Sequence, residues 1–344
     1  MMFTLKSDLT PEGGLQNPAR LAFSPDGTAL LASGGDDVQV WPRWLDGPPR
    51  PVVTAPGTLE RATLNPDGSL VYLYRSGNSY TDVLTVATGK ITASGLPPSD
   101  PSWAHFDATG GFFLVCREQG TLARYDYTPG TKKKVREAWA LMRHSGGTQR
   151  SRKPLGSHYR FGAICGPAGV FVALEYKFGG NEPFHGLTAR SVKDGAVVFH
   201  RKLRSDTATR LLEKAGLALT IHPSGGYMAY PDGPEIRLRS LSDRVKVRAK
   251  VPAPQNAGAE KATAKKPKKP KPEVHAVAFN PAGTLLAAVG DSGVVTLYDT
   301  KAWAVAGAFD WKIGTLRAVC FSADGTRAAV LSETGNIMVW DLDL

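Results

Sequence analysis

The feature that most restricts how this chain can fold is a five-residue turn that recurs seven times. It reads FSPDG (Phe23 to Gly27), LNPDG (Leu64 to Gly68), FDATG (Phe106 to Gly110) and CGPAG (Cys165 to Gly169), then IHPSG (Ile221 to Gly225), FNPAG (Phe279 to Gly283) and FSADG (Phe321 to Gly325). In each, the leading residue ends an inward-facing run, Pro presets φ where it occurs, and the closing Gly supplies the positive φ that a Cβ disfavours. Ala19 to Trp41 shows the unit in full: an alternating strand (Arg20 to Phe23), the turn, an apolar strand (Ala29 to Ala32), a Gly/Asp turn, and a third strand ending in Val40-Trp41. Copies follow one another at 41, 42, 59, 56, 58 and 42 residues. The short spacings fit four strands per unit, and the long ones imply insertions.

A repeat array of this kind folds as one unit, so the 344 residues read as a single domain, 1–344, although length alone suggests two or three. The 37 Gly and 25 Pro suit many short strands joined by tight turns. There is no run of 18 apolar residues, and the opening MMFTLKSDLTPEGG has neither the basic segment nor the apolar core of a leader. The expectation is a soluble cytoplasmic protein. Cys116, Cys165 and Cys320 lie far apart in apolar strand patterns, as reduced, buried thiols do.

The third strands add a second signature: Val339-Trp340-Asp341, the near matches Leu297-Tyr298-Asp299 and Arg124-Tyr125-Asp126, and Val40-Trp41. With the turns, these make nearly the whole chain resemble the WD40-repeat family, in a divergent form similar to its bacterial members. The resemblance implies an all-β fold, a seven-bladed β-propeller of four-stranded antiparallel blades. It also implies a non-enzymatic scaffold role. The Gly-His pair that usually opens a WD40 repeat is missing from all seven copies, while Asp37 and Asp291 stand where the family's aspartate would lie. The last copy supplies three strands, so Met2 to Leu9 is the spare strand expected to close the ring and cover its open edge.

In a blade of that family the b–c and d–a connections emerge on one face. The long spacings place insertions at 142–160, 177–185, 204–216 and 252–272, all on that face, with a short capped helix expected within Arg204 to Gly216. Residues 132–160 carry +8 and residues 252–272 carry +5 of a net charge of +11, so the rest of the chain carries −2. The segment 252–272 lacks aromatic and branched apolar residues and is expected to be extended and disordered. Candidate partner-binding residues are therefore Lys132, Lys133, Lys134, Arg143, Arg150, Arg152, Lys153, Lys265, Lys266, Lys268, Lys269 and Lys271, together with the loop aromatics Phe178 and Phe184. The Lys265 to Lys271 run also reads as a plain solvated linker, and Phe178 and Phe184 as packing for their own loop.

Catalytic chemistry has little support. Gly290-Asp291-Ser292-Gly293 matches the tetrapeptide around a trypsin-like nucleophile, but it falls where a b–c turn needs Gly and Asp for conformation. The seven histidines (105, 144, 158, 185, 200, 222 and 275) form no metal-ligand spacing, and no cysteine pair has zinc spacing. There is no Gly-rich phosphate loop. Trp103, Trp303, Trp311 and Trp340 lie in or beside strands and read as packing residues. Neither a cofactor nor a metal is expected. The sequence thus points to a monomeric scaffold for an acidic protein partner. A binder of nucleic acid or another anionic surface through 132–160 and 252–272 is the alternative, and a lactonase-like propeller enzyme a remote one.

Overall fold

A computed structural model of the chain describes residues 5–8, 15, 17–43, 53–54, 59–65, 68–75, 82–93, 101–106, 112–117, 122–127, 135–141, 157–165, 168–177, 184–203, 219–241, 250–252 and 271–342. Among these residues the secondary structure is all β. Strand β1 (Leu5–Asp8) precedes a first sheet of β2 (Pro18–Phe23), β3 (Leu30–Gly34), β4 (Asp37–Trp41) and β5 (Val53–Thr54). The second sheet holds β6 (Leu59–Leu64), β7 (Leu70–Arg75), β8 (Asp82–Thr85) and β9 (Lys90–Ala93). The third holds β10 (Pro101–Phe106), β11 (Phe112–Arg117), β12 (Leu122–Tyr127) and β13 (Val135–Leu141). The fourth holds β14 (Ser157–Cys165), β15 (Val170–Lys177), β16 (Phe184–Ser191) and β17 (Val197–Leu203). The fifth holds β18 (Thr220–Ile221), β19 (Tyr227–Asp232), β20 (Glu235–Ser240) and β21 (Lys250–Pro252). The sixth holds β22 (Val274–Phe279), β23 (Leu285–Gly290), β24 (Val294–Asp299) and β25 (Val305–Asp310). The last holds β26 (Leu316–Phe321), β27 (Arg327–Ser332) and β28 (Ile337–Asp341).

Six of these are antiparallel meanders in chain order. In the seventh, β1 takes the fourth place, in the order β1-β28-β27-β26, with Leu5 opposite Trp340 and Asp8 opposite Met338. These four-stranded antiparallel sheets are consistent with propeller blades. The strand used from the expected segment 2–9 is Leu5–Asp8.

The recurrent turn works through its second residue. Ser24 Oγ accepts from the Ala29 N–H at 2.9 Å, and Ser322 Oγ from the Arg327 N–H at 3.0 Å. Asn65 Oδ1 and Asn280 Oδ1 do the same for Leu70 (2.8 Å) and Leu285 (2.9 Å). A short side chain thus satisfies the first N–H of the following strand and locks the turn.

Apolar side chains meet between sheets. Leu31, Val38 and Val40 of the first sheet pack with Leu64, Leu73 and Leu84 of the second. Val172 and Leu187 meet Met228 and Tyr230 across the fourth–fifth seam, and Ala229 and Leu238 meet Phe279 and Leu286 across the fifth–sixth. Leu297 meets Val330 and Trp340 across the sixth–seventh seam, while Leu30 and Trp41 meet Leu331 and Val339 across the seventh–first. The first strands β22 and β26, and β26 and β2, lie side by side, as do β6 with β10 and β10 with β14. Each fully buried aliphatic side chain stabilises by about 1.5–3 kcal/mol, so the seams carry most of the packing energy.

The sequence reading needs correction at the fourth sheet. Ser157 to Arg160, expected in a loop, open β14, and the expected loop 177–185 is narrowed because Lys177 ends β15 and Phe184 begins β16. Tyr159, Phe161, Tyr176 and Phe184 favour pleated backbone, which carries the hairpin beyond the boundary suggested by the glycines. Pro252 likewise ends β21 rather than opening a loop. The segment 204–216, where a helix was expected, lies outside the described residues.

Candidate interaction face

In six of the seven sheets the first residue of the first strand pairs with the last residue of the second, so the chain enters those sheets at the end where the b–c turn lies. Val274, the first residue of β22, pairs with Gly290, the last of β23, just as Leu316 of β26 pairs with Ser332 of β27. At that end the first strand carries an irregularity in six of the seven sheets. Pro18↔Gly34 is followed by Arg20↔Ser33, Val274↔Gly290 by Ala276↔Val289, and Leu316↔Ser332 by Ala318↔Leu331; β6, β10 and β14 show the same shift. Two residues on the first strand thus stand against one on the second, the geometry of a β-bulge, which twists the strand and re-aims the extra side chain. In the last two sheets the extra residues are His275 and Arg317.

These two side chains build a chain of charge across the sixth and seventh sheets. His275 Nε2 donates to Asp291 Oδ1 at 2.6 Å, and Arg317 Nη1 lies 3.2 Å from the same ring nitrogen. Arg317 Nη2 donates to Glu333 Oε2 at 2.9 Å. Asp291, in the b–c turn of the sixth sheet, also accepts the Glu273 N–H at 3.0 Å through Oδ2. Burial alone would raise the Asp291 carboxyl, but the Glu273 N–H, the His275 ring and the Arg317 charge outweigh it and hold it below the usual carboxylate range. The side chains remain accessible, with 39% of Arg317 and 44% of Glu333 and Asp291 exposed. Exposed ion pairs contribute about 0–1 kcal/mol, so this row adds little to folding and presents polar groups on the rim.

The same ends carry other carboxylates. Asp36 Oδ1 accepts the N–H of Leu59, the first residue of the next sheet, at 3.0 Å, and Asp37 Oδ1 accepts Thr54 Oγ1–H at 2.7 Å. Arg75 pairs with Asp82, and Arg237 with Asp232 (2.8 Å) and Glu235 (3.3 Å).

Of the residues proposed from sequence, Lys271 is described and exposed, and Phe184 is the first residue of β16, opposite Lys177. Lys132, Lys133, Lys134, Arg143, Arg150, Arg152, Lys153, Phe178, Lys265, Lys266, Lys268 and Lys269 lie outside the described residues. Sequence reasoning noted Asp291 but missed His275, Arg317 and Glu333. Their signal is a slip in the inward pattern of the first strands, where Ala276 and Val277, like Ala318 and Val319, are buried side by side.

Ser292 Oγ accepts from the Val294 N–H at 3.3 Å, the bond of a turn residue, and among the described residues no hydrogen bond joins it to His275. Among the described residues no group of three or more His, Cys, Asp or Glu is placed to hold a metal ion, and no helix is long and apolar enough to cross a membrane. Cys320 is a free thiol that burial pushes up to about 12, which keeps it a poor nucleophile.

A family model described as WD domain, G-beta repeat, matches residues 266–299, which contain β22, β23 and β24. This match supports membership of the WD40 family. No curated protein matches the chain.

Proposed function

We propose that the chain is a non-enzymatic, seven-bladed β-propeller whose loop-bearing face docks an acidic protein partner in the cytoplasm. The ring reading is supported by the seams. Gly27 of the first turn lies against Ser322 of the last, at the separation a Cβ on Gly27 would meet as an ordinary 3.9 Å contact, and Leu21 and Trp41 pack with Leu331 and Val339. The family match favours a protein-interaction scaffold in general. One observation supports the choice of face: the insertions 142–160 and 252–272, each carrying +5, follow the fourth strands β13 and β21, whose last residues pair with the first residues of β12 and β20 beside the b–c turns, whereas Lys132, Lys133 and Lys134 fall in the c–d connection between β12 and β13. Basic loops around a nearly neutral body steer an acidic partner and fix its orientation.

Neutralising Arg143, Arg150, Arg152 and Lys153 together, all in the insertion that follows β13, tests this reading. Partner recovered on the immobilised protein should fall at least tenfold while the melting temperature stays within a few degrees. Equal recovery by the variant removes the basic loops from the reading. The same charge supports a second occupant, nucleic acid. In that case recovery collapses by orders of magnitude between about 50 and 200 mM salt, and nuclease abolishes it.

A further inference from the structure

The c–d turns at the opposite end of the sheets hold a departure from the repeat. In the second and fourth sheets the turn closes with an N–H to the carbonyl four residues back, Gly89 to Thr85 and Gly195 to Ser191, both at 2.9 Å, with the glycines at φ 67° and 73°. The sixth sheet makes the same bond, Trp303 N–H to Asp299 O at 2.7 Å, but a tryptophan occupies the left-handed position at φ 55°. A bulky residue there is strained, and such strain collects at functional positions. The Trp303 ring is half-buried and meets Tyr227 of the neighbouring sheet edge-on at 6.1 Å.

Trp303 stands in an uncharged, outward run. Ala302, Ala304 and Ala306 are exposed, and Val305 is 60% exposed. Val305 begins β25, the last strand in its sheet's order, so one side of its backbone has no strand neighbour among the described residues. Apart from the two-residue β5 (Val53–Thr54), the other outer strands carry charged residues or proline in their sequence: Lys90 in β9, Arg136 and Glu137 in β13, Arg201 and Lys202 in β17, Lys250 and Pro252 in β21, and Lys6 in β1. Strand β25 reads Val-Ala-Gly-Ala-Phe-Asp, with no Lys, Arg or Pro, the residues that normally keep an edge from pairing. Its one device is a register shift, Leu297↔Gly307 followed by Tyr298↔Val305, which leaves Gly307 to Asp310 as the straight part of the edge.

We infer that β25 and the Trp303 indole form a second docking site, for an extended, uncharged peptide segment of another protein that adds to β25 as a fifth strand and lays an apolar side chain on the indole. A row of backbone N–H and C=O groups is matched by another extended backbone, and the absence of cations along β25 argues against a phosphate-bearing ligand. A second copy of this chain fits less well. Six residues give about 20 Å of edge, and two such edges laid together fall short of the roughly 1,200 Å² of a stable interface. The site stands apart from the loop-bearing face and does not depend on it.

The test uses the full chain and a phage-displayed library of random ten-residue peptides. Selection should enrich sequences with apolar residues at alternate positions and few charges. Their binding should weaken at least tenfold in Ala308→Lys, which guards the edge at an exposed position, and in Trp303→Gly, which keeps the turn but removes the ring. The basic-loop variant should bind them like the wild type, and a bound peptide should slow amide exchange across residues 305–310. No enrichment, or equal binding by both edge variants, overturns the site. A reversible dimer in sedimentation that Ala308→Lys abolishes overturns it in favour of self-association.

Discussion

Gly283 closes the sixth turn at φ 73°, and a Cβ there would stand 2.5 Å from His222 Nε2. Gly283→Ala combines left-handed strain with displacement of a ring bonded to the Gly283 carbonyl at 2.9 Å, and is expected to cost about 2–3 kcal/mol. Urea unfolding measures it, and a loss below about 0.5 kcal/mol contradicts this account. His222 itself stands where four other turns carry Ser or Asn. Its Nδ1 accepts the Ser224 N–H at 3.1 Å, so the ring is neutral with its proton on Nε2, facing Gly283. Burial lowers its pKa, against the opposing pull of the Gly283 carbonyl. The unfolded chain therefore takes up this proton first. Stability from this group should fall as pH drops below about 6.5, the ordinary histidine value, and level off below the folded pKa. Melting curves from pH 7.5 to 5 should show a steeper decline for the wild type than for His222→Asn, and parallel curves would refute the assignment. Trp303→Gly relieves strain but loses an aromatic contact worth about 0.5–1.5 kcal/mol, so it should change stability by less than about 1 kcal/mol. A larger loss would mean that the indole is there for packing.

Strands differ in how plainly the sequence announces them. The first and second strands flank the recurrent turn, and in the first copy their apolar runs, Arg20 to Phe23 and Ala29 to Ala32, place β2 and β3 within two residues. The two-residue β5 and β18 carry too few side chains for a period to register, and β14 to β16 outrun their glycine markers because aromatic residues extend the hairpin. The rim was legible in part. Asp291 follows from turn position, but His275 and Arg317 become neighbours through bulges, and strict alternation assigns them the wrong phase. At this scale the pairing of β1 with β28 makes a direct prediction. Deleting residues 1–9 uncovers the edge of β28, whose Val339 and Trp340 are fully buried, and should lower the melting temperature by several degrees. An unchanged melting curve would show that β1 contributes no stability.

Across the molecule, nearest-neighbour seams make each sheet depend on two others, and the seventh sheet joins segments from the two ends of the sequence. A closed ring, as proposed, would unfold as a unit where an open array would fray from its ends. Linking residue 342 to residue 5 through a short Gly/Ser segment and opening the chain between Thr88 and Gly89 should give a permuted protein with one cooperative transition and a melting temperature within several degrees of the wild type. Two resolved transitions would argue for an open array. The fold class was legible at this scale because the turn repeats. The partner was not, because the stretches with the most charge have no repeat against which to be read.

The β1–β28 pair also sets a clock. Roughly 330 residues separate the two strands, and a ribosome adding 5–20 residues per second takes about 15 to 65 s to cover them. For that time Leu5–Asp8 has been made and its partner has not, so an early-made strand waits through the synthesis of six whole sheets. Slowing translation lengthens that interval without altering a single contact of the finished molecule. Yield in the cell should therefore respond to translation speed and to chaperone supply more steeply than equilibrium stability alone would suggest.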